Sequence, residues 1–222
     1  MDTLRALELR HSVRSYTDKP LSADVLTALN DTIDTINRES GLHIQLVLDE
    51  PAAFSGFLAS YGSFKNVKNY FALVAKKGRD EDIGYYGQKL VLEAQKLGLN
   101  TCWVGGTFSR KKTAYEAGRG EKLYGIIPVG YGASQGHPHK SKPLNELANL
   151  SGDEPDWFLA GLEAAQLAPT ATNQQSFKLS LKKGGKVELK MGRGAMIGVD
   201  EGILKYNFEV GAAAKGHTVK WA

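Results

Sequence analysis

Two guanidiniums, an imidazole and a hydroxyl fall within five residues near the start of the chain, at Arg10, His11, Ser12 and Arg14. In an extended segment side chains alternate in direction, so Arg10, Ser12 and Arg14 share one face and can present two forked donors and a hydroxyl to one anion. Arginine suits that task because its planar fork matches phosphate oxygens two at a time. A second stretch, residues 168–175, is dense in small hydroxyls and amides and carries no charge; it includes Pro169, Thr170, Ala171 and Asn173. Amides, hydroxyls and free backbone N–H groups in a turn can satisfy the carbonyl and imide edge of a flat heterocycle. Taken alone, residues 10–14 also fit a solvated basic turn, since charge clusters usually sit at the surface.

Together the two stretches resemble the signatures of the nitroreductase-like FMN flavoproteins, an arginine motif R-[RH]-S-x-R-x-[FY] and a loop A-P-[ST]-x-x-N-x-Q-P-W. Residues 10–16 match the first closely. Ala168, Pro169, Thr170, Asn173 and Gln175 match the second, while Ser176 and Phe177 stand where the family usually has Pro and Trp. Residues 97–106, ending in Trp103-Val104-Gly105-Gly106, resemble the family segment whose backbone faces the flavin N5 and O4 edge. The resemblance therefore marks Val104, Gly105 and Gly106 as backbone contacts, and glycine has a physical use there because a missing Cβ lets backbone approach a planar ring. Lys140 and Lys142 match the family's basic pair before Pro-Leu, which reaches the FMN phosphate; a solvated basic loop is the alternative. Ser63 and Lys65 fall where members place polar or basic residues near the ring, and a plain surface loop fits them as well. Tyr61, Phe64, Tyr85 and Tyr86 are candidates for an aromatic wall over the ring, although such aromatics are more often core. His137-Pro138-His139 invites a metal reading, but no third ligand of suitable type is near in sequence.

The motif order departs from the family. There the amide loop follows the arginines by about one helix; here it lies near the other end of the chain. In family homodimers one protomer brings the arginines and the other brings the loop. One copy of each motif in one chain therefore resembles a fused, degenerate dimer, with residues 1–150 as the arginine-bearing half and residues 151–222 as a shortened half carrying the loop. The resemblance implies one FMN site per chain, in a monomeric pseudo-dimer or a homodimer. It also implies hydride transfer from NADH or NADPH through flavin N5 to a small-molecule acceptor, such as a nitroaromatic or a quinone. No catalytic side chain is required, and Arg14 tunes the flavin by its fixed charge near N1 and O2. The alternative is a non-enzymatic flavin-binding or storage protein, or a degenerate member.

Composition bounds these readings. The chain has 222 residues, 42% hydrophobic and 23% charged, with a net charge of +4 and a pI near 9.0. That is long enough for a substantial core. The lysines are scattered, which argues against a nucleic-acid tract. The single cysteine, Cys102, excludes an internal disulfide and fits a reducing compartment. No apolar run reaches the eighteen residues of a membrane span and no signal peptide opens the sequence, so a cytoplasmic protein is expected.

The elements that must position these residues read as α+β: a nitroreductase-like fold with a central mixed β-sheet flanked by helices, in two pseudo-symmetric halves. Helices are expected over residues 3–9, 22–38, 51–60, 82–97, 109–118, 157–167 and 200–214. Ser22 serves as N-cap of the second, with Gly41 as its stop. Strands are expected over residues 42–48, 70–75, 99–106, 124–132 and 218–221. A hairpin turns at Gly184-Gly185. The apolar run 70–75 predicts cover on both faces, and Pro128 predicts an edge or irregular position.

Overall fold

The computed structural model describes residues 1–55 and 60–222. Among them, the first strands are β1 (Gln45–Val47), β2 (Tyr70–Lys76), β3 (Asn100–Thr101) and β4 (Glu121–Gly130), which form an antiparallel sheet in the order β1-β2-β4-β3. The later strands are β5 (Ala148–Asn149), β6 (Phe177–Leu181), β7 (Lys186–Met191) and β8 (Lys220–Trp221); they form a mixed sheet in that order, with β6 and β7 joined by the expected hairpin. The α+β class holds, but the strands divide between two sheets where the sequence predicts one central mixed sheet. Strand pairing crosses residue 150, because β5 belongs to the later sheet.

Both faces of β2 are covered, as its apolar run predicts. Phe71, Leu73 and Ala75 enter the main core, and Tyr70, Ala72 and Val74 enter a second cluster with Cys102, Val104 and Phe108. β4 corrects the reading of Pro128. The strand is central, and Pro128 pairs with Tyr70 where β2 begins, just beyond the last β3 partner. A missing N–H costs little where both neighbouring ladders are ending.

Helix α1 (Thr3–Leu9) is capped by Asp2, whose side chain accepts from the Arg5 N–H; Arg10 leaves it in extended conformation. Helix α2 (Ala23–Ser40) starts on Ser22 and stops at Gly41, left-handed at φ 68°. Helix α3 (Asp80–Lys96) packs along α6 (Ile197–Ala213), while α4 (Leu144–Leu147) and α5 (Asp156–Gln166) lie between β4 and β6 in sequence. The α3–α6 contact is reciprocal. A Cβ at Gly84 would run into the carbonyl oxygen of Val199, and one at Gly202 into that of Glu81. Glu81 and Val199, Gly84 and Gly202, Gly98 and Gly216, and Trp103 and Trp221 are all separated by the same interval along the chain.

The expected helix over residues 109–118 is only a 3₁₀ turn, Arg110–Lys112. Beyond it the backbone is satisfied sideways: the Tyr70 hydroxyl donates to the Ala114 carbonyl and accepts from its N–H, and Glu116 N–H donates to Gln45. The helix expected over residues 51–60 begins as a 3₁₀ turn, Pro51–Phe54, and residues 56–59 of it lie outside the described residues. Likewise, of residues 99–106 only β3 is regular strand, with Val104 forming an isolated bridge to Ile126.

Candidate functional site

A single cavity of about 1270 Å³ opens between the arginine segment, the glycine segment after β3 and the loop after α5. Its size exceeds the ~300–1,000 Å³ of common small-molecule pockets. Of the residues singled out from sequence, Arg10, His11, Ser12, Arg14, Ser63, Val104, Gly105, Gly106, Pro169, Thr170, Ala171 and Asn173 all line it. Two motifs far apart in the chain thus meet on one surface.

Local folding explains the meeting. Past α1 the chain runs extended, with Ser12 bridged to Thr101 and the Val13 N–H donating to the Thr101 carbonyl at 3.0 Å. This docks the arginine segment beside β3, directly before the glycines. Gly136 closes on it from the other side: at φ 72° it leaves room for the His11 Cβ and the Ser12 carbonyl, which a side chain would crowd. Arg110 fastens the far end by donating to the carbonyls of Leu123, Tyr124 and Gly105.

Arg10 is 4% exposed, and its Nε has no hydrogen-bond partner. No carboxylate pairs with it among the described residues. Burial pulls its pKa down to about 10, the direction expected of a cation without a counter-charge. Arg14, by contrast, is exposed on the rim, with its guanidinium 6.0 Å from the Phe64 ring centroid. Cys102 is buried beside them, and burial pushes its thiol up, as suits a packed hydrophobe rather than a nucleophile.

The opposite wall has its polar groups internally satisfied. Asn173 donates to the Lys140 carbonyl at 2.9 Å and accepts from Gln175 at 3.0 Å. Gln175 also donates to the Lys140 carbonyl and accepts from the Lys142 N–H. Thr172, Asn173 and Gln175 hold left-handed backbone, at φ 51°, 56° and 44°. For Thr172, which is β-branched, that is a costly conformation, of a kind that clusters at functional sites. Ser63 (φ 53°) and Met196 (φ 54°) add two more such residues on the same cavity.

Among the sequence candidates, Lys140 and Lys142 do not line the cavity. Lys142 Nζ donates to the carbonyls of Gln174 and Gln175, each at 3.0 Å, so its charge serves the loop. Lys65 is likewise off the cavity; its N–H donates to the Arg14 carbonyl. Of the aromatic candidates, Tyr61 and Phe64 line the cavity, whereas Tyr85 packs on Tyr206 and donates to Glu209. Among the described residues no group of three His, Cys, Asp or Glu could hold a metal ion, and no helix is long and apolar enough to cross a membrane.

Sequence reasoning missed several wall residues. Asp200, in the first turn of α6, is 3% exposed; it accepts from the Ala171 N–H at 3.0 Å and from Gln174 at 2.7 Å, and burial raises its pKa to about 6. An Asp in the first turn of a helix reads from sequence as an exposed dipole partner, so only the fold shows it clamping the loop. His137 and His139 also line the cavity, where the neighbouring lysines do not.

A profile of the family described as "Putative TM nitroreductase" matches residues 2–212. The fold is similar to the crystal structure of a "putative nitroreductase" from Thermotoga maritima, with a TM-score of 0.69 and 22% identity, covering 97% of this chain and 85% of that one. A "putative nitroreductase in complex with FMN" from Desulfovibrio desulfuricans aligns over 70% of this chain and 98% of its own, with a TM-score of 0.52 and 22% identity. A "putative NADH dehydrogenase/NAD(P)H nitroreductase" from Parabacteroides distasonis aligns over 68% and 98%, with a TM-score of 0.52 and 19% identity. No curated protein matches the chain. By its nearly full-length profile match the chain belongs to this nitroreductase family.

Proposed function

We propose that the chain is an FMN-dependent oxidoreductase of the nitroreductase type, carrying reducing equivalents from NADH or NADPH to a nitroaromatic, quinone or similar small acceptor. The observation that carries this reading is the buried Arg10, with its unpartnered Nε, on the same cavity as Asn173. A desolvated guanidinium with no internal counter-charge is stabilised by an anion brought from outside. The family and the FMN named for the Desulfovibrio protein suggest which anion. The glycine segment also leaves room for a flat group: a Cβ at Gly106 would meet no protein atom within 4 Å.

When bound, FMN supplies two-electron chemistry at its N5. The chain's own residues bind and orient. Arg10 and Ser12 hold the phosphate end, and Arg14 places a fixed charge at the rim that favours negative charge on the ring system. Val104, Gly105 and Gly106 offer backbone to the ring edge, with Ser63 nearby, and residues 169–173 close the other side. The strained, internally bonded loop keeps its shape without the ligand, which reduces the ordering cost of binding.

The reciprocal Gly84–Val199 and Gly202–Glu81 contacts support a chain built from two related halves, residues 1–150 and 151–222, meeting as a two-fold dimer interface does. Each half then contributes what the other lacks, and one flavin binds per chain. The experiment is a visible spectrum of the purified protein, followed by NADH or NADPH without oxygen. Yellow protein that bleaches supports the oxidoreductase; yellow protein that does not bleach leaves a flavin-binding protein; protein that stays colourless after added FMN overturns both.

A further inference from the structure

The sequence places a basic pair, Lys140 and Lys142, at the phosphate end of the site, but the fold turns Lys142 into its own loop and leaves both lysines off the cavity. Two imidazoles stand on the cavity instead. His137 and His139 are spaced by two around Pro138 and line the cavity with His11; Gly136, just before them, packs against the His11 Cβ and the Ser12 carbonyl, and both rings lie close enough to His11 to act on its charge. Resting on the flavoprotein reading above, we propose that His137 and His139 act as the second cationic grip on the cofactor phosphate, so that FMN is held tightly only while these rings are protonated.

The chemistry of His139 makes the dependence specific. Its Nε2 lies 3.1 Å from the Gln166 carbonyl. A neutral ring that donates there keeps only a lone pair at Nδ1, which repels an anion; the protonated ring has a second N–H to give. Arg10 acts on His139, and His11 lies within reach of both rings; Arg14 lines the same cavity, and Lys140 and Lys142 follow the pair in the same loop. Asp200 lies on the opposite wall, clamped to the loop. Burial and the Arg10 charge push His139 and His11 below the usual imidazole range, and His137 and His139 both oppose protonation of His11. Burial and Arg10, with no carboxylate paired to it among the described residues, favour neutral His139 and His11 when the site is empty. A bound phosphate reverses that preference, so binding takes up protons and weakens as pH rises.

The sign separates this arrangement from an arginine-only site. A phosphate monoester gains its second charge near pH 6, which by itself tightens binding to arginine at higher pH. The test measures dissociation of FMN and of riboflavin, which has no phosphate, from the full-length holoprotein on dilution, read by recovery of flavin fluorescence. The measurements run from about pH 6 to about pH 8, across the ~6.5 of an ordinary imidazole. The expected result is an FMN Kd that rises about tenfold while that of riboflavin stays level, and a His137→Asn/His139→Asn protein whose FMN Kd no longer rises but whose riboflavin Kd is unchanged. Should the double variant lose riboflavin as well, His137→Asn alone, at an exposed ring, decides the matter by a shallower FMN slope. A wild-type FMN Kd that is flat or falls with pH, or variants that keep the wild-type slope, overturns the proposal and leaves the flavoprotein reading standing. A chain that binds neither flavin overturns that reading itself.

Discussion

The arginine segment and the amide loop face one another across the same cavity, yet they dispose of their polar groups in opposite ways. Arg10 is buried with a donor left over, and Arg14 stands exposed at the rim. In the loop both ends of the Asn173 amide are bonded internally, Gln174 and Gln175 are occupied, and Asp200 clamps the Ala171 N–H. One wall holds unspent electrostatic potential, and the other holds a finished shape. Affinity for an anionic ligand should therefore come mainly from the first wall, and the fit of a planar group mainly from the second.

The sharpest way to break this comparison is Arg10→Met. Losing more than one charge-assisted hydrogen bond at ~1.5–3 kcal/mol each should weaken FMN by roughly 3 kcal/mol or more, over a hundredfold. The flavin-free protein should melt higher, because an uncompensated buried cation is gone. Flavin titration and thermal melting check both halves, and a variant that binds FMN normally would erase the distinction between the walls. Arg14→Ala, at the exposed rim, should cost less, about 1.5–3 kcal/mol; a loss larger than that of Arg10→Met would reverse the ranking.

Asp200 tests the other wall by pH. Its pKa rises on folding from the ordinary 3.8 to about 6, so the folded state holds the proton more tightly than the unfolded chain. Its contribution to stability is complete below about pH 3.8 and is lost as pH climbs through about 6. Asp200→Asn keeps an acceptor for the Ala171 N–H and cannot ionise. Relative to wild type it should gain on the order of 2 kcal/mol between pH 4.5 and pH 7.5, both approximate. Urea unfolding at the two pH values measures it, and a pH-independent difference would show that the clamp is not a strained carboxylate.

The smallest effect belongs to Lys142→Met. Its ammonium holds two loop carbonyls, so the variant should lose about 1–2 kcal/mol of stability and weaken FMN and riboflavin alike. A loss confined to FMN would restore Lys142 to the phosphate.

How legible each part was in the sequence follows from the range of the forces involved. Ser22 and Gly41 bound α2 by local backbone chemistry, and the apolar run 70–75 announced a strand covered on both faces; both are visible in a few adjacent residues. The arginine and loop motifs were legible because their residue types suit one ligand wherever the chain takes them. What escaped depends on distant partners. Residues 109–118 look helical until Tyr70 and Gln45 take their backbone groups. Lys142 looks like a phosphate ligand until two carbonyls claim it, and His139 reads as half of an incomplete metal pair until the fold sets it on the cavity against the Gln166 carbonyl. Asp200 looks like an ordinary first-turn carboxylate until the loop closes over it.

The central claim is that both walls belong to one site in one chain, and the flavin content of the purified, FMN-saturated protein tests it most directly when read against its mass in solution. One FMN for each 24.1 kDa chain, whatever the oligomer, is the result expected. Two per chain, or none, would contradict it.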